Sequence, residues 1–145
     1  MKKSAYRIKG EEGQSIVELA ISLVFIVMLL VGVVDFGRAF FTYIMLRDAA
    51  QEGASYGAIY PDDSGGIESR VWASLHSPLN LSNDAAHINV EVNFLGPACN
   101  GNGIKVDVVY TEFPITVPFY AVIGGAQHIP MRASVTDTIL RPPCH

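Results

Sequence analysis

The stretch GQSIVELAISLVFIVMLLVGVV, Gly13 to Val34, decides what kind of chain this is. Leu19 to Val34 carries no charge, and between Ile16 and Val34 the only strongly polar residue is Glu18. Apolar side chains fall on every face of a helix drawn through this run. A helix buried in a soluble core would instead show an apolar stripe with a polar back. A bilayer core about 30 Å thick takes about 20 helical residues, so the run is long enough to span. Glu18 is the anomaly. A carboxylate at mid-bilayer costs about 2.5–3.5 kcal/mol, and less near an end. Either it snorkels to the interface, or it meets a partner.

Orientation follows from the flanks. Lys2, Lys3, Arg7 and Lys9 precede the run, whereas Asp35 and Arg38 leave its far side mixed in charge. The positive-inside rule therefore predicts a cytoplasmic N-terminus and an exported remainder. A cleaved secretory signal would have a shorter apolar region and an A-x-A-like site; the sequence DFGRAFF that follows Val34 offers none. The chain's 145 residues leave room for a membrane segment and one small domain. Its net charge of −4, with no basic stripe beyond the apolar run, speaks against a nucleic-acid partner.

Four regions emerge: a basic leader (1–13), a transmembrane segment (14–34), a helical stalk (35–60) and a small exported domain (61–145). The predicted fold class is α+β, a long N-terminal helix followed by a short helix and an antiparallel sheet. No proline interrupts the chain between Gly13 and Pro61, so one helix is expected from position 14 to about 58. Phe36, Phe40, Tyr43, Ile44 and Arg47 keep helical spacing. Ala50, Gly53, Ala54 and Gly57 form a stripe of small residues that lets another element approach closely. The alternative is a helix end fraying toward Pro61. PDDSGG reads as a turn, and GGIESRVWASLHSPL sets Ile67, Val71, Trp72 and Leu75 on one helical face. Ile88, Val90, Val92 and Phe94 alternate, as do Ile104, Val106, Val108 and Tyr110, which predicts an antiparallel hairpin. FPITVPFYAVIGG is broken by Pro114 and Pro118 and reads as an edge segment or a loop with a short helix. IPMRASVTDTIL reads as the last strand.

Cys99 and Cys144 both fall in the exported part, where an oxidising compartment favours a disulfide over two free thiols. Closing a loop of about 45 residues stabilises by ~4 kcal/mol in the chain-entropy picture.

Catalytic signals are thin. GASYG, Gly53–Gly57, matches G-x-S-x-G, but that motif needs a strand running into Ser55 and a helix leaving it. Here a helical stretch, LRDAAQE, runs into it. His76, His87, His128 and His145 are scattered, without metal-ligand spacing, and Asp62 and Asp63 lack the EF-hand pattern around them. No cofactor or metal is expected. Asn80-Leu81-Ser82 is a glycosylation sequon, meaningful only in a suitable secretory pathway.

A cut after Gly13 would supply Glu18 with a partner. It would make Glu18 the fifth residue and create a free α-amine at Gln14 on the same helix end, or on a neighbour's. A basic leader, Gly13, Glu18 and a long apolar helix resemble the prepilin-peptidase signal of type IV pilin-like proteins. Gly10 competes poorly, since Ser15 stands five residues after it.

The continuation, with Asp35, Gly37, Arg38, Ala49, Ala50, Glu52, Gly53, Ala54 and Gly57, is similar to TadE-like pseudopilins of tight-adherence (Tad) pilus systems. Leu19 departs from the pattern, which commonly has an aromatic residue after the glutamate. The resemblance implies a minor pilin or pseudopilin. It implies processing after Gly13 by a prepilin peptidase and assembly with other pilin-like subunits and the Tad secretion machinery at the cell membrane. It implies a structural protein and not an enzyme. The competing expectation is a permanently anchored extracytoplasmic binding or adhesion module.

Overall fold

A computed structural model describes residues 11–76, 80–116, 125 and 127–144. Positions 1–10 of the expected leader, the middle of FPITVPFYAVIGG (117–124) and His145 lie outside the described residues. One helix, α1 (Glu11–Gly57), dominates; its 47 residues make a rod about 70 Å long. It is followed by α2 (Ser64–Leu75), a 3-10 helix (Leu81–His87), and the strands β1 (Ile88–Leu95), β2 (Gly103–Pro114) and β3 (His128–Thr138). The α+β fold class read from the sequence holds, and the two alternating runs pair as the expected antiparallel hairpin. Among the described residues, only the 3-10 helix ahead of β1 has no counterpart in the sequence reading.

The two halves of α1 live in different surroundings. From Gly13 to Val34 no residue is buried, although this stretch is almost wholly apolar. From Asp35 onward one face turns inward. Met45, Leu46, Ala49, Ala50, Ala54 and Ala58 are buried in the same core as Ile67, Val71 and Leu75 of α2. The helix ends where Pro61 forbids continuation. Bonds from Ala58 N to Ala54 O (2.8 Å) and Tyr60 N to Tyr56 O (3.0 Å) close its last turn. The PDDSGG turn then reverses the chain. Asp63 caps α2 by accepting the Gly66 amide at 2.9 Å, and it takes the Tyr56 hydroxyl at 2.8 Å, linking the two helix ends.

The sheet has the order β1-β2-β3, antiparallel throughout. On its helix side stand Ile104, Val106, Val108 and Tyr110, all buried, with Ala133 of β3 and Ile88 of β1. A bulge between Tyr110 and Phe113 shifts the side-chain alternation by one residue. Phe113 therefore also faces the core, its ring 6.1 Å from that of Tyr110. The tail is pinned at the other end. Leu140 N donates to Ala58 O at 2.7 Å, Asn100 N donates to Pro142 O at 2.7 Å, and Cys99 and Cys144 form the expected disulfide.

Candidate functional site

The residues singled out by sequence distribute along α1 in three places. At the N-terminal end, Gly13 has open space around it, and Gln14, Val17, Glu18, Ile21 and Ser22 line a shallow hollow on the helix surface. Gln14, Glu18 and Ser22 stand four residues apart and so share one helix face. Glu18 is exposed, and among the described residues no cation pairs with it.

The second place is the DFGR segment. Asp35 is buried, and its Oδ2 accepts the backbone N–H of Thr116 at 2.8 Å, just past the end of β2. Arg38, one turn further along α1, donates to the Thr116 hydroxyl at 2.8 Å and lies 3.5 Å from Asp35 Oδ1. Its guanidinium also sits over the Phe113 ring, 5.6 Å from the centroid. Two charges on α1 thus clasp the end of the central strand. Thr116 was missed from sequence because nothing marks it among its proline-flanked neighbours. Gly37 takes no part in the clasp, and a Cβ there would meet nothing. Beside the clasp is a cavity of about 210 Å³ lined by Arg38, Thr42, Leu81, Asp84, Tyr110 and Phe113. Burial, together with a hydrogen bond to Asp84 Oδ2 (2.9 Å), pushes the Tyr110 hydroxyl up to about 12.

The third place is the small-residue stripe. A Cβ on Gly53 would lie 2.6 Å from Val71 Cγ2 and 3.4 Å from Val106 Cγ1; one on Gly57 would collide with Ile104 Cδ1. Ala50 and Ala54 are fully buried alongside. The stripe is therefore where α2 and β2 close on the helix backbone, not a frayed end. Glu52 points the other way and is exposed, with Asp48, Gln51 and Ser55 beside it.

Ser55 lies within a helix, so the strand-turn-helix geometry that would make it a nucleophile is missing. Ser82 Oγ lies 3.0 Å from His76 Nδ1, but the hydroxyl donates to Asn80 Oδ1 at 2.6 Å. The Ser82 hydroxyl thus already has an acceptor in Asn80, and its contact with His76 lies exposed on the surface, not in a cleft. Among the described residues no group of three or more His, Cys, Asp or Glu side chains could hold a metal ion.

A further polar centre escaped the sequence reading. Asp107 of β2 faces away from α1 and is nevertheless fully buried, because Arg132 and Lys105 fold over it. Arg132 Nη2 approaches Asp107 Oδ1 at 2.9 Å and Lys105 Nζ approaches Oδ2 at 3.1 Å. Burial alone would raise this carboxyl; hydrogen bonds from Lys105, Arg132 and Ser134 outweigh it and hold the group below the ordinary carboxylate value. The signal for it was the outward position of Asp107 between Val106 and Val108, next to a lysine two residues away.

These features define a class of protein. One unbroken helix is a bare apolar rod at its start, long and apolar enough to cross a membrane, and becomes a core element of a small α+β head. The same helix carries the resemblance to a known family. Residues 13–55 match the family model described as TadE-like protein, so the resemblance covers this stretch of the chain. The match contains Gly13, Glu18, the Asp35–Arg38 clasp and Gly53, and ends two residues before Gly57. No curated protein and no solved structure matches the chain.

Proposed function

We propose that this chain is a structural component of a Tad-type pilus or secretion apparatus, a minor pilin or pseudopilin. The supporting observation is that the TadE-like match covers both the bare apolar half of α1 and the half built into the head. In this reading the chain inserts once into the cell membrane, with its N-terminus cytoplasmic and residues beyond about Val34 outside. A prepilin peptidase cuts after Gly13, and the α-amine released at Gln14 pairs with the Glu18 carboxylate of the same or a neighbouring subunit. The stem then packs against other pilin-like helices. Its dependence on a partner explains a carboxylate on a helix surface that lipid would otherwise cover.

The mature N-terminus tests this. Mass spectrometry of protein extracted from membranes of a host with an active prepilin peptidase is expected to show a chain that begins at Gln14. A chain that retains residues 1–13 would overturn the processing step.

A further inference from the structure

The exposed side of α1 changes character at one point. As far as Ile44 its solvent-facing side chains are almost all apolar, and beyond the span they include Phe36 (73% exposed), Phe40 (52%), Phe41 (60%) and Tyr43 (44%). From Arg47 on they are polar: Arg47, Asp48, Gln51, Glu52 and Ser55. Between Val34 and Ile44 the one exposed charge, Arg38, has its guanidinium turned to Thr116 and Asp35.

The lengths are informative. Ile16 to Val34 rises about 27 Å, close to the hydrocarbon core of a bilayer, and Ile16 to Ile44 rises about 42 Å, close to the whole bilayer with its headgroup layers. The run of about 42 Å is long enough to set Phe40, Phe41 and Tyr43 in one headgroup layer about 5–8 Å deep, with Phe36 at its inner edge. The amphipathic ring of Tyr43 favours that layer, and Phe side chains bury at its boundary with the acyl chains. Phe36, Phe40, Phe41 and Tyr43 spread over an arc of about 160° at 3.6 residues per turn. That covers about three-quarters of the arc the head leaves open, the rest being Arg38, and is wider than the narrow seam of a helix–helix contact. The collar also continues the apolar span without a polar break.

We propose that Phe36, Phe40, Phe41 and Tyr43 insert into the headgroup layer of the membrane, so that the head rests on the lipid surface instead of standing off on a free stalk. The Asp35–Thr116 clasp then lies at the membrane surface and holds the end of β2 against it. The proposal rests on the reading of α1 as membrane-spanning, and its test separates the two.

Trp72 is the single tryptophan, so the full chain carrying Trp72→Phe gives a silent background. Phe40→Trp, Phe36→Trp, Gln51→Trp and Ile26→Trp are added singly, and each variant is reconstituted in phosphatidylcholine vesicles brominated either near the glycerol end or near the chain ends. Phe40→Trp and Phe36→Trp are expected to emit in the blue and to be quenched about twofold more by the shallow label than by the deep one, as headgroup-layer depth requires. Ile26→Trp follows the deep label, and Gln51→Trp is not quenched. Quenching of Ile26→Trp with water-like, unquenched emission at both collar positions overturns the collar and leaves the span standing. Blue but unquenched collar emission that grows with protein-to-lipid ratio overturns it too, because a second copy then covers the face. An unquenched Ile26→Trp overturns the span and the collar together.

Discussion

Asp35 and Thr116, 81 positions apart in sequence, are joined by a 2.8 Å hydrogen bond from the Thr116 amide to the Asp35 carboxylate. This bond fastens the head to the helix at the level where the bare apolar stretch ends. The carboxylate is nearly enclosed, at 10% side-chain exposure, whereas Arg38 is 46% exposed. A charge-assisted bond in a water-poor site is worth about 1–3 kcal/mol, and an exposed ion pair about 0–1 kcal/mol. Asp35→Ala is therefore expected to destabilise the head by about 1–3 kcal/mol and Arg38→Ala by less. Urea unfolding of the detergent-solubilised chain measures both. Equal midpoints for Asp35→Ala and wild type would show that the clasp carries no stability.

At Gly53 and Gly57, helix propensity and packing pull in opposite directions. Alanine is favoured over glycine in a helix by about 1 kcal/mol, and overpacking costs about 1–3 kcal/mol. Gly53→Ala would drive its Cβ into Val71 Cγ2, a stiff β-branched side chain that is fully buried. Gly57→Ala meets the terminal methyls of Ile104 and Ile67, each of which has a χ2 rotation with which to yield. Gly53→Ala should lower stability by about 1–2 kcal/mol and Gly57→Ala by less than about 1 kcal/mol. Denaturation midpoints that rank the two the other way would refute the contact assignment.

Which parts of this architecture are visible in sequence depends on how local their cause is. The unbroken helix, the two alternating strands and the turn at PDDSGG each follow from a periodicity or a breaker, and each is found where expected. The small-residue stripe announced a close approach because glycine in a helix needs a reason. The clasp was half legible: Asp35 and Arg38 stood out, but their receiver, Thr116, is defined only by where β2 ends in space. The bulge that turns Phe113 inward has no sequence marker at Thr111 or Glu112. Asp107 looked like an ordinary outward strand residue, because its burial is created by Arg132, brought alongside by β3 from 25 positions away.

Two buried groups, Asp107 and Tyr110, make the stability of the head depend on pH. The Asp107 carboxyl is held below its ordinary value of 3.8, so the folded state binds its proton less readily than the unfolded chain. Its contribution is thus complete above about pH 4 and is lost as pH falls through the lower folded value. The Tyr110 hydroxyl is raised from 10.0 to about 12, so its contribution is complete below pH 10 and is lost as pH rises toward 12. Asp107→Asn should cost about 1–3 kcal/mol at neutral pH, a difference that shrinks below pH 4. Tyr110→Phe should weaken the alkaline transition while leaving the acid one alone. Thermal melts recorded from pH 2 to 12 test both, and a wild-type-minus-Asn difference that is flat with pH would remove Asp107 from this role.

In the proposed function, processing and assembly make different demands on Glu18. It shares its helix face with Gln14 and Ser22, and the hollow between them is open. If the carboxylate serves to pair with the amine that cleavage creates at Gln14, its charge matters after the cut and not before it. Glu18→Ala and Glu18→Gln should both be trimmed after Gly13 as wild type is. Both should then enter the assembled apparatus about tenfold less, the factor that ~1.4 kcal/mol of lost pairing gives. Glutamine keeps the hydrogen-bonding shape without the charge, so it discriminates. Rescue by Glu18→Gln would assign the residue to polar contacts with neighbours such as Ser22. Failure of both variants, with normal trimming by mass spectrometry, assigns it to ion pairing. The readout is the amount of each variant that co-purifies with sheared surface filaments, compared with the amount left in the membrane.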